Sequence, residues 1–297
     1  MEEILRQTFI NMEENKKLKV VFNPKITEGN IDDQLKALER YFDFTDEDKA
    51  EARLSMSCRH IGTTVWGKYK IKLPIIHYCW DFYKWALQNP GAHYKNHEIY
   101  ADELSKCDLV VVPSHGQQQR LKELININSI VVTSGFTHYE QAIMDSGFIL
   151  DPLREYPEEN KGWAEQAAKE LDIPFLHTEH QFTKEKFEKL VASCSFLTSC
   201  YREASTGALS LMEGLWLGKK SLVSNSPYQG AKDYLGKYAV YFQYDSFEDL
   251  KAKMKEMWET RPKVEIIEAR THLENYSYDA MAHNLYESIF SFLTANR

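Results

Sequence analysis

Residues 202–225, REASTGALSLMEGLWLGKKSLVSN, hold the groups of this chain best placed to do chemistry. Ser205, Thr206 and Gly207 are small or hydroxylic and stand where a helix should begin, with Glu203 just ahead of them. The first turn of a helix leaves backbone N–H groups without intrahelical partners, and these attract an anion such as phosphate. Beyond that turn Leu209, Met212, Leu215 and Trp216 recur at helical spacing on an apolar face, which Glu213 interrupts with a single carboxylate. From Ser205 to Glu213 is eight residues, roughly 12 Å along a helix. A diphosphate lying across the helix start would leave a pentose beside Glu213, whose carboxylate can accept both hydroxyl hydrogens. The competing reading of the same residues is an ordinary amphipathic helix with one surface glutamate. Gly218 can take the left-handed stop of that helix, and SLVSN follows as a short strand.

The elements around this helix alternate strand and helix. LKVVFNP at 18–24, ARLSMSC at 52–58, the start of LPIIHYCWDF at 73–82, DLVVVPS and SIVVTSGF at 129–136 read as strands. DDQLKALERYF at 32–42 and GQQQRLKEL read as helices, after a lead-in helix in the first twelve or so residues. A second half starts near Met144. There GFILDP, IPFLH at 173–177, SFLTS, SLVSN and the end of GKYAVYFQY are strands, with helices at 160–171 and 182–194 and over DSFEDLKAKMKEMWET. Such alternation predicts an α/β chain with parallel sheets covered on both faces.

Other residues could serve the same chemistry. Arg154 and Lys161 flank the loop LREYPEENKG that enters a helix, and His77 ends a strand with Asp81 four residues later. Tyr78, Trp80, Phe82, Tyr83, Trp85 and Tyr94 could offer a ring face to a sugar, though core packing is the commoner use of such a cluster. His93, His97, His177, Glu179 and His180 lack a third ligand at metal spacing, so no metal is expected.

The segment at 211–225, LMEGLWLGKKSLVSN, resembles the signature of the retaining glycosyltransferases of family 4, which have two facing Rossmann-like domains of the GT-B type. That signature is two glutamates separated by seven residues, then a helix ending in Gly-Lys and a strand. Glu213 stands in the second glutamate's place, whereas the first position falls on Ser205 and the nearest acid, Glu203, comes two residues early. IIHY, VVVPSHG and VVTSGF also follow the family's order in its first half, while Gly29 stands alone where the family usually has paired glycines. The resemblance implies two facing Rossmann-like domains, 1–143 for the acceptor and 144–273 for a nucleotide sugar, the second trimmed by a strand and a helix, with 274–297 crossing back.

The resemblance further implies transfer of a sugar from a nucleotide-diphosphate sugar to a carbohydrate, lipid-linked or other hydroxyl acceptor, with retention and without metal or cofactor. Glu213 would hold the ribose, Arg154 and Lys161 the diphosphate, Thr206 and Gly207 a phosphate, and Glu203 or Ser205 the transferred sugar. His77 would approach from the acceptor side, with Asp81 an alternative for the acceptor hydroxyl. A cationic pair at the diphosphate has a sound physical reason, since charge builds on the leaving oxygens as the bond breaks. Two further readings stay open: a non-catalytic relative that binds a nucleotide sugar or another protein, and a sugar-nucleotide epimerase on the same fold.

Composition narrows the classes. At 297 residues the chain is long enough for two cores. With 36 basic and 44 acidic side chains its formal charge is −8, and no basic face is concentrated anywhere, so nucleic acid is not an expected partner. Five cysteines without a C-x-x-C pair read as reduced thiols. MEEILRQTF is too acidic for a secretory signal and no stretch is long enough to span a bilayer, which predicts a cytoplasmic protein with peripheral membrane attachment left open.

Overall fold

The computed structural model describes residues 17–23, 31–57, 72–80, 97–140, 144–152, 162–178, 183–200 and 209–296. Short apolar runs such as LVVV, FLTS and SLVS form strands whose residues are nearly all buried, as parallel sheets with helices on both faces require. The first sheet takes β1 (Leu18–Asn23), β2 (Phe42–Phe44), β3 (Ala52–Ser57), β4 (Ile75–Cys79), β5 (Leu109–Val112) and β6 (Ile130–Val131). Its helices are α1 (Ile31–Tyr41), α2 (His97–Leu104) and α3 (His115–Ile125). The second sheet takes β7 (Ile149–Asp151), β8 (Phe175–His177), β9 (Phe196–Ser199), β10 (Ser221–Ser224) and β11 (Ala239–Phe242). With it run α4 (Trp163–Glu170), α5 (Lys184–Ser193), α6 (Leu209–Trp216), α7 (Lys232–Leu235) and α8 (Phe247–Thr260), followed by α9 (Ile266–Leu273) and α10 (Tyr278–Ala295).

All strand pairs are parallel, in the orders β2-β1-β3-β4-β5-β6 and β11-β10-β9-β7-β8. Each sheet therefore reverses its direction of growth once, between β1 and β3 and between β7 and β9. Ligands of open α/β sheets bind at the carboxyl ends of the strands beside such a reversal.

Helices seal each sheet with apolar side chains. On one face of the first, Leu38 of α1 and Met281, Leu285 and Ile289 of α10 pack with Val20, Leu54 and Val111. On the other, Tyr100, Leu104 and Leu121 of α2 and α3 meet Val110 and Val112. The second sheet is covered by Leu211 and Leu215 of α6 with Ala269 and Leu273 of α9, and on its other face by Ala164, Ala168, Leu250 and Met254 of α4 and α8. Burying each leucine-sized side chain contributes about 1.5–3 kcal/mol. Gly218 does take the left-handed conformation, φ 74°, and lets Lys219 N–H return to the Gly214 carbonyl at 2.8 Å.

Three details differ from the sequence expectation. The helix at 32–42 stops at Tyr41, and Phe42 instead begins β2, parallel to β1 with Leu18 opposite Phe42. The strand expected over 129–136 is confined to Ile130–Val131. His77 does not end its strand: β4 continues through Tyr78 to Cys79. Among the described residues no helix is long and apolar enough to cross a membrane.

Candidate functional site

The carboxyl ends of β7, β8, β9 and β10 carry polar side chains where the strands' interior is apolar. Asp151 ends β7 and His177 ends β8, paired in register, with His177 Nδ1 3.3 Å from Asp151 Oδ2. Ser199 ends β9 and Ser224 ends β10, and both hydroxyls lie within reach of Gln229 Nε2, at 3.3 and 3.4 Å. Gln229 is held in turn by Ala231 N–H, which donates to its Oε1 at 3.2 Å. Cys200 follows β9 with its sulfur 3.3 Å from Thr198 Oγ1, and burial with the nearby Asp151 charge pushes its thiol above the usual range.

From this edge the chain enters α6, whose residues Leu211 to Leu215 are all buried. Gly214 lets the helix press on β9, because a Cβ there would stand 2.4 Å from Leu197 Cδ1. Glu213 is 6% exposed, a carboxylate drawn out of solvent on an apolar helix. Such burial is costly unless the group is hydrogen-bonded. Tyr139, itself 4% exposed, lies close enough to Glu213 for the two groups to interact electrostatically. Burial and then the Glu213 charge hold the Tyr139 phenol well above its ordinary range, so it stays a donor. One turn further on, Trp216 Nε1 donates to the Tyr139 carbonyl at 3.2 Å. His138 stacks flat on the Trp216 ring, 4.1 Å between centroids and 6° between planes, and the Arg270 guanidinium lies 4.8 Å from the same ring's centroid.

Tyr139 belongs to the segment that leads from β6 to β7. That segment forms a bridge between Phe136 and Ser277, where the chain returns toward α10. A third contact joins the halves at the start of α3, which follows β5 directly. Ser114 caps this helix by accepting from Gln117 N–H at 3.1 Å. Asp233 of the second half then takes the His115 N–H at 2.7 Å and approaches His115 Nδ1 at 3.2 Å. Tyr228 donates its hydroxyl to Glu123 at 2.5 Å, and its carbonyl accepts from the fully buried Arg120 at 3.4 Å.

His77 lies inside the first layer. Its side chain is wholly buried, with Nδ1 2.6 Å from Ser55 Oγ and Nε2 2.8 Å from Tyr100 OH. Both ring nitrogens lie within hydrogen-bond reach of hydroxyls on β3 and α2, so this imidazole braces the first layer. Asp81, Arg154, Lys161, Glu203, Ser205, Thr206 and Gly207 lie outside the described residues. By sequence each comes after the carboxyl end of a described strand: Asp81 after β4, Arg154 and Lys161 after β7, the others after β9. Glu179, His180, His93 and Gly29 also lie outside them, and among the described residues no three metal-ligating side chains cluster. Sequence reasoning missed Tyr139, Asp151 and Gln229; for Asp151 the signal was an acid closing the apolar run FIL.

Solved structures resemble this arrangement over most of its length. A glycosyltransferase from Rickettsia africae matches with a TM-score of 0.58 at 12% identity, over 94% of this chain and 99% of that one. Sucrose-phosphate synthase from Thermosynechococcus elongatus matches with a TM-score of 0.60 at 10% identity, over 91% and 82%. The two sheets and their helices are those of such enzymes. The fold is GT-B. The catalytic domain of starch synthase IV from Arabidopsis thaliana, solved with ADP and acarbose, shares it with a TM-score of 0.59 at 11% identity, over 91% and 80%. No protein-family model and no curated protein matches the sequence. In the GT-B frame, Glu213 sits on the helix that follows the strand beside the β7/β9 reversal.

Proposed function

We propose that this chain is a glycosyltransferase that moves a sugar from a nucleoside-diphosphate sugar to an acceptor hydroxyl, with retention at the anomeric carbon. The bond from that carbon to the diphosphate oxygen breaks with its electron pair, and the acceptor oxygen forms the new bond and gives up its proton. The observation that carries the reading is Glu213: a buried carboxylate on α6, the helix that follows β9 at the strand-order reversal of a GT-B fold. In support, one structure of similar fold holds ADP, a nucleoside diphosphate.

On this reading Glu213 accepts the ribose hydroxyls, and the amides of Thr206 and Gly207 meet a phosphate. Arg154 and Lys161 neutralise the charge that grows on the departing diphosphate, where cations act more strongly on the transition state than on the ground state. Glu203 or Ser205 holds the transferred sugar, and Asp81 serves the acceptor side. The acceptor is a carbohydrate, a lipid-linked sugar or another hydroxyl, and no metal or cofactor takes part.

The test is calorimetric titration of uridine, adenosine and guanosine diphosphates into the protein and into Glu213→Ala. Loss of a charge-assisted hydrogen bond should weaken the best of them about tenfold or more. Equal affinity in the two proteins would argue against the assignment. A second reading, a nucleotide-sugar binder without turnover, gains from the sequestered His77. Transfer or donor hydrolysis in a screen of nucleotide sugars would reject it.

A further inference from the structure

We infer that Gln229 is a positioning residue: from a turn that the first half grips, it holds the carboxyl ends of β9 and β10, where the donor is proposed to lie. Its role toward the donor rests on that reading of the site. Gln229 Nε2 lies 3.3 Å from Ser199 Oγ and 3.4 Å from Ser224 Oγ, so one amide bridges the last residues of two neighbouring strands. Its Oε1 accepts from Ala231 N–H at 3.2 Å, which fixes the direction of the amide. Gln229 is 2% exposed and Ser199, Ser224 and Ala231 are wholly buried, so bulk solvent is not at hand to replace a lost bond. Beyond Ser199 the chain runs through 200–208, which carries Glu203, Ser205, Thr206 and Gly207, before Leu209 begins α6. The end of β9 therefore sets where that segment starts.

The first half reaches Gln229 through a single peptide plane. The Tyr228 carbonyl and the Gln229 N–H and Cα belong to one planar unit. Nη2 of the fully buried Arg120 on α3 lies 3.4 Å from that carbonyl oxygen, and Gly116 packs so closely on the same group that a Cβ would stand 2.8 Å from its carbon. On the other side of the plane Gln229 N–H donates to the Ser226 carbonyl at 3.2 Å, and Tyr228 N–H donates to Ser226 Oγ at the same distance. Ser226 is wholly buried, so the turn does not yield by swinging into solvent. Tyr228 also donates its hydroxyl to Glu123 at 2.5 Å, and Asp233 accepts from His115 N–H at 2.7 Å, which keeps α3 seated on the turn. A shift of α3 that moves the Tyr228 carbonyl tilts the plane, and the tilt carries Gln229 away from the two serines. The carboxyl edge of the second sheet thus depends on how a helix of the first is seated.

The experiment titrates uridine, adenosine and guanosine diphosphates into wild type, Gly116→Ala, Gln229→Met, the double variant and Glu213→Ala, and follows hydrogen exchange over residues 197–200 of the unliganded proteins. It runs at a temperature where circular dichroism finds every variant folded. Gly116→Ala, whose added Cβ meets the Tyr228 backbone, should weaken the best nucleotide about five- to tenfold and speed exchange at the end of β9. Gln229→Met keeps the length of the side chain and removes its amide, and should weaken that nucleotide by a similar factor. The double variant should bind no more weakly than Gln229→Met alone, because the link that Gly116→Ala disturbs is already cut. A merely structural glutamine would lower the melting temperature and leave nucleotide affinity intact, which would overturn the inference, as would additive losses in the double variant. If Glu213→Ala is weakened while Gly116→Ala is not, only the inference fails. If no diphosphate binds, or Glu213→Ala binds like wild type, the donor reading falls by itself and exchange over 197–200 decides the link. Exchange that is faster in Gly116→Ala, with no added effect on the Gln229→Met background, upholds the link; unchanged exchange overturns it. Should Gln229→Met not fold, Ser199→Ala removes one of its two strand contacts. It should weaken the nucleotide in part, and unchanged binding would refute the positioning role.

Discussion

Gly116→Ala should loosen the contact between α3 and the second half, and its size follows from the spacing there. A Cβ on residue 116 would stand 2.8 Å from the Tyr228 carbonyl carbon and 2.9 Å from its oxygen, with ordinary contact beginning at 3.4 Å. These are backbone atoms, so no rotamer change relieves the overlap, and a retreat of about 0.6 Å is needed. A shift of that size carries Arg120 Nη2, 3.4 Å from the Tyr228 carbonyl, out of hydrogen-bond range and strains the 2.7 Å bond from His115 N–H to Asp233. Arg120 is fully buried, so weakening its bond costs about 1–3 kcal/mol. The partly exposed capping bond adds about 0.5–1 kcal/mol. Alanine's better helix propensity returns about 0.5–1 kcal/mol. The net is a loss of about 1–3 kcal/mol. At about 2–4 °C per kcal/mol for domains near this size, the melting temperature should fall by about 2–12 °C. Calorimetry measures that fall, and hydrogen exchange should show faster opening at the start of α3. A variant that melts with wild type and exchanges no faster would mean that α3 and Tyr228 do not touch in solution.

Other outcomes follow from single side chains. His77→Phe should cost about 2–5 kcal/mol by leaving the hydroxyls of Ser55 and Tyr100 without their ring partner, yet bind nucleoside diphosphate normally below its melting temperature; denaturant titration and calorimetry separate the two effects. Cys194 should resist iodoacetamide at pH 8 until urea is added, because burial pushes its thiol up to about 12, and peptide mass mapping reads the label. His138 is held below its ordinary value, first by burial, with Arg270 lowering and Glu274 raising it. A histidine depressed in the folded state favours the unfolded chain as pH falls through the ordinary histidine value and toward the folded one. Stability should therefore decline modestly on the acid side of neutrality, and His138→Phe should flatten that part of the melting-temperature profile.

The parallel architecture was legible because runs such as LVVV and FLTS are too short and too apolar for anything but buried strands between helices. The strand FDF was not, since three residues continuing the apolar pattern of α1 carry no break in periodicity. Nor was α9, whose apolar residues Ala269 and Leu273 reveal their purpose only against α6. The carboxylate of Glu213 stood out from its helix in the sequence; Tyr139, whose phenol its charge raises, lies far away along the chain, and proximity at that range leaves no local trace. His77 illustrates the opposite limit. Its type and strand were read from the sequence, but only the register of β4 and the neighbouring Ser55 and Tyr100 decide that the ring faces inward.

The cover that α10 lays over the first sheet has a consequence for biosynthesis. Met281, Leu285, Ile289 and their neighbours on α10 close a core whose remaining buried members lie between Leu18 and Val132, so the earliest strands wait for residues translated after every strand of the second sheet. A ribosome-bound chain stopped at the end of α8 would present that uncovered apolar face to chaperones, although all eleven described strands had already been synthesised. Cutting such a chain between its halves would yield a first fragment with an open core, which becomes whole only when α10 is returned to it.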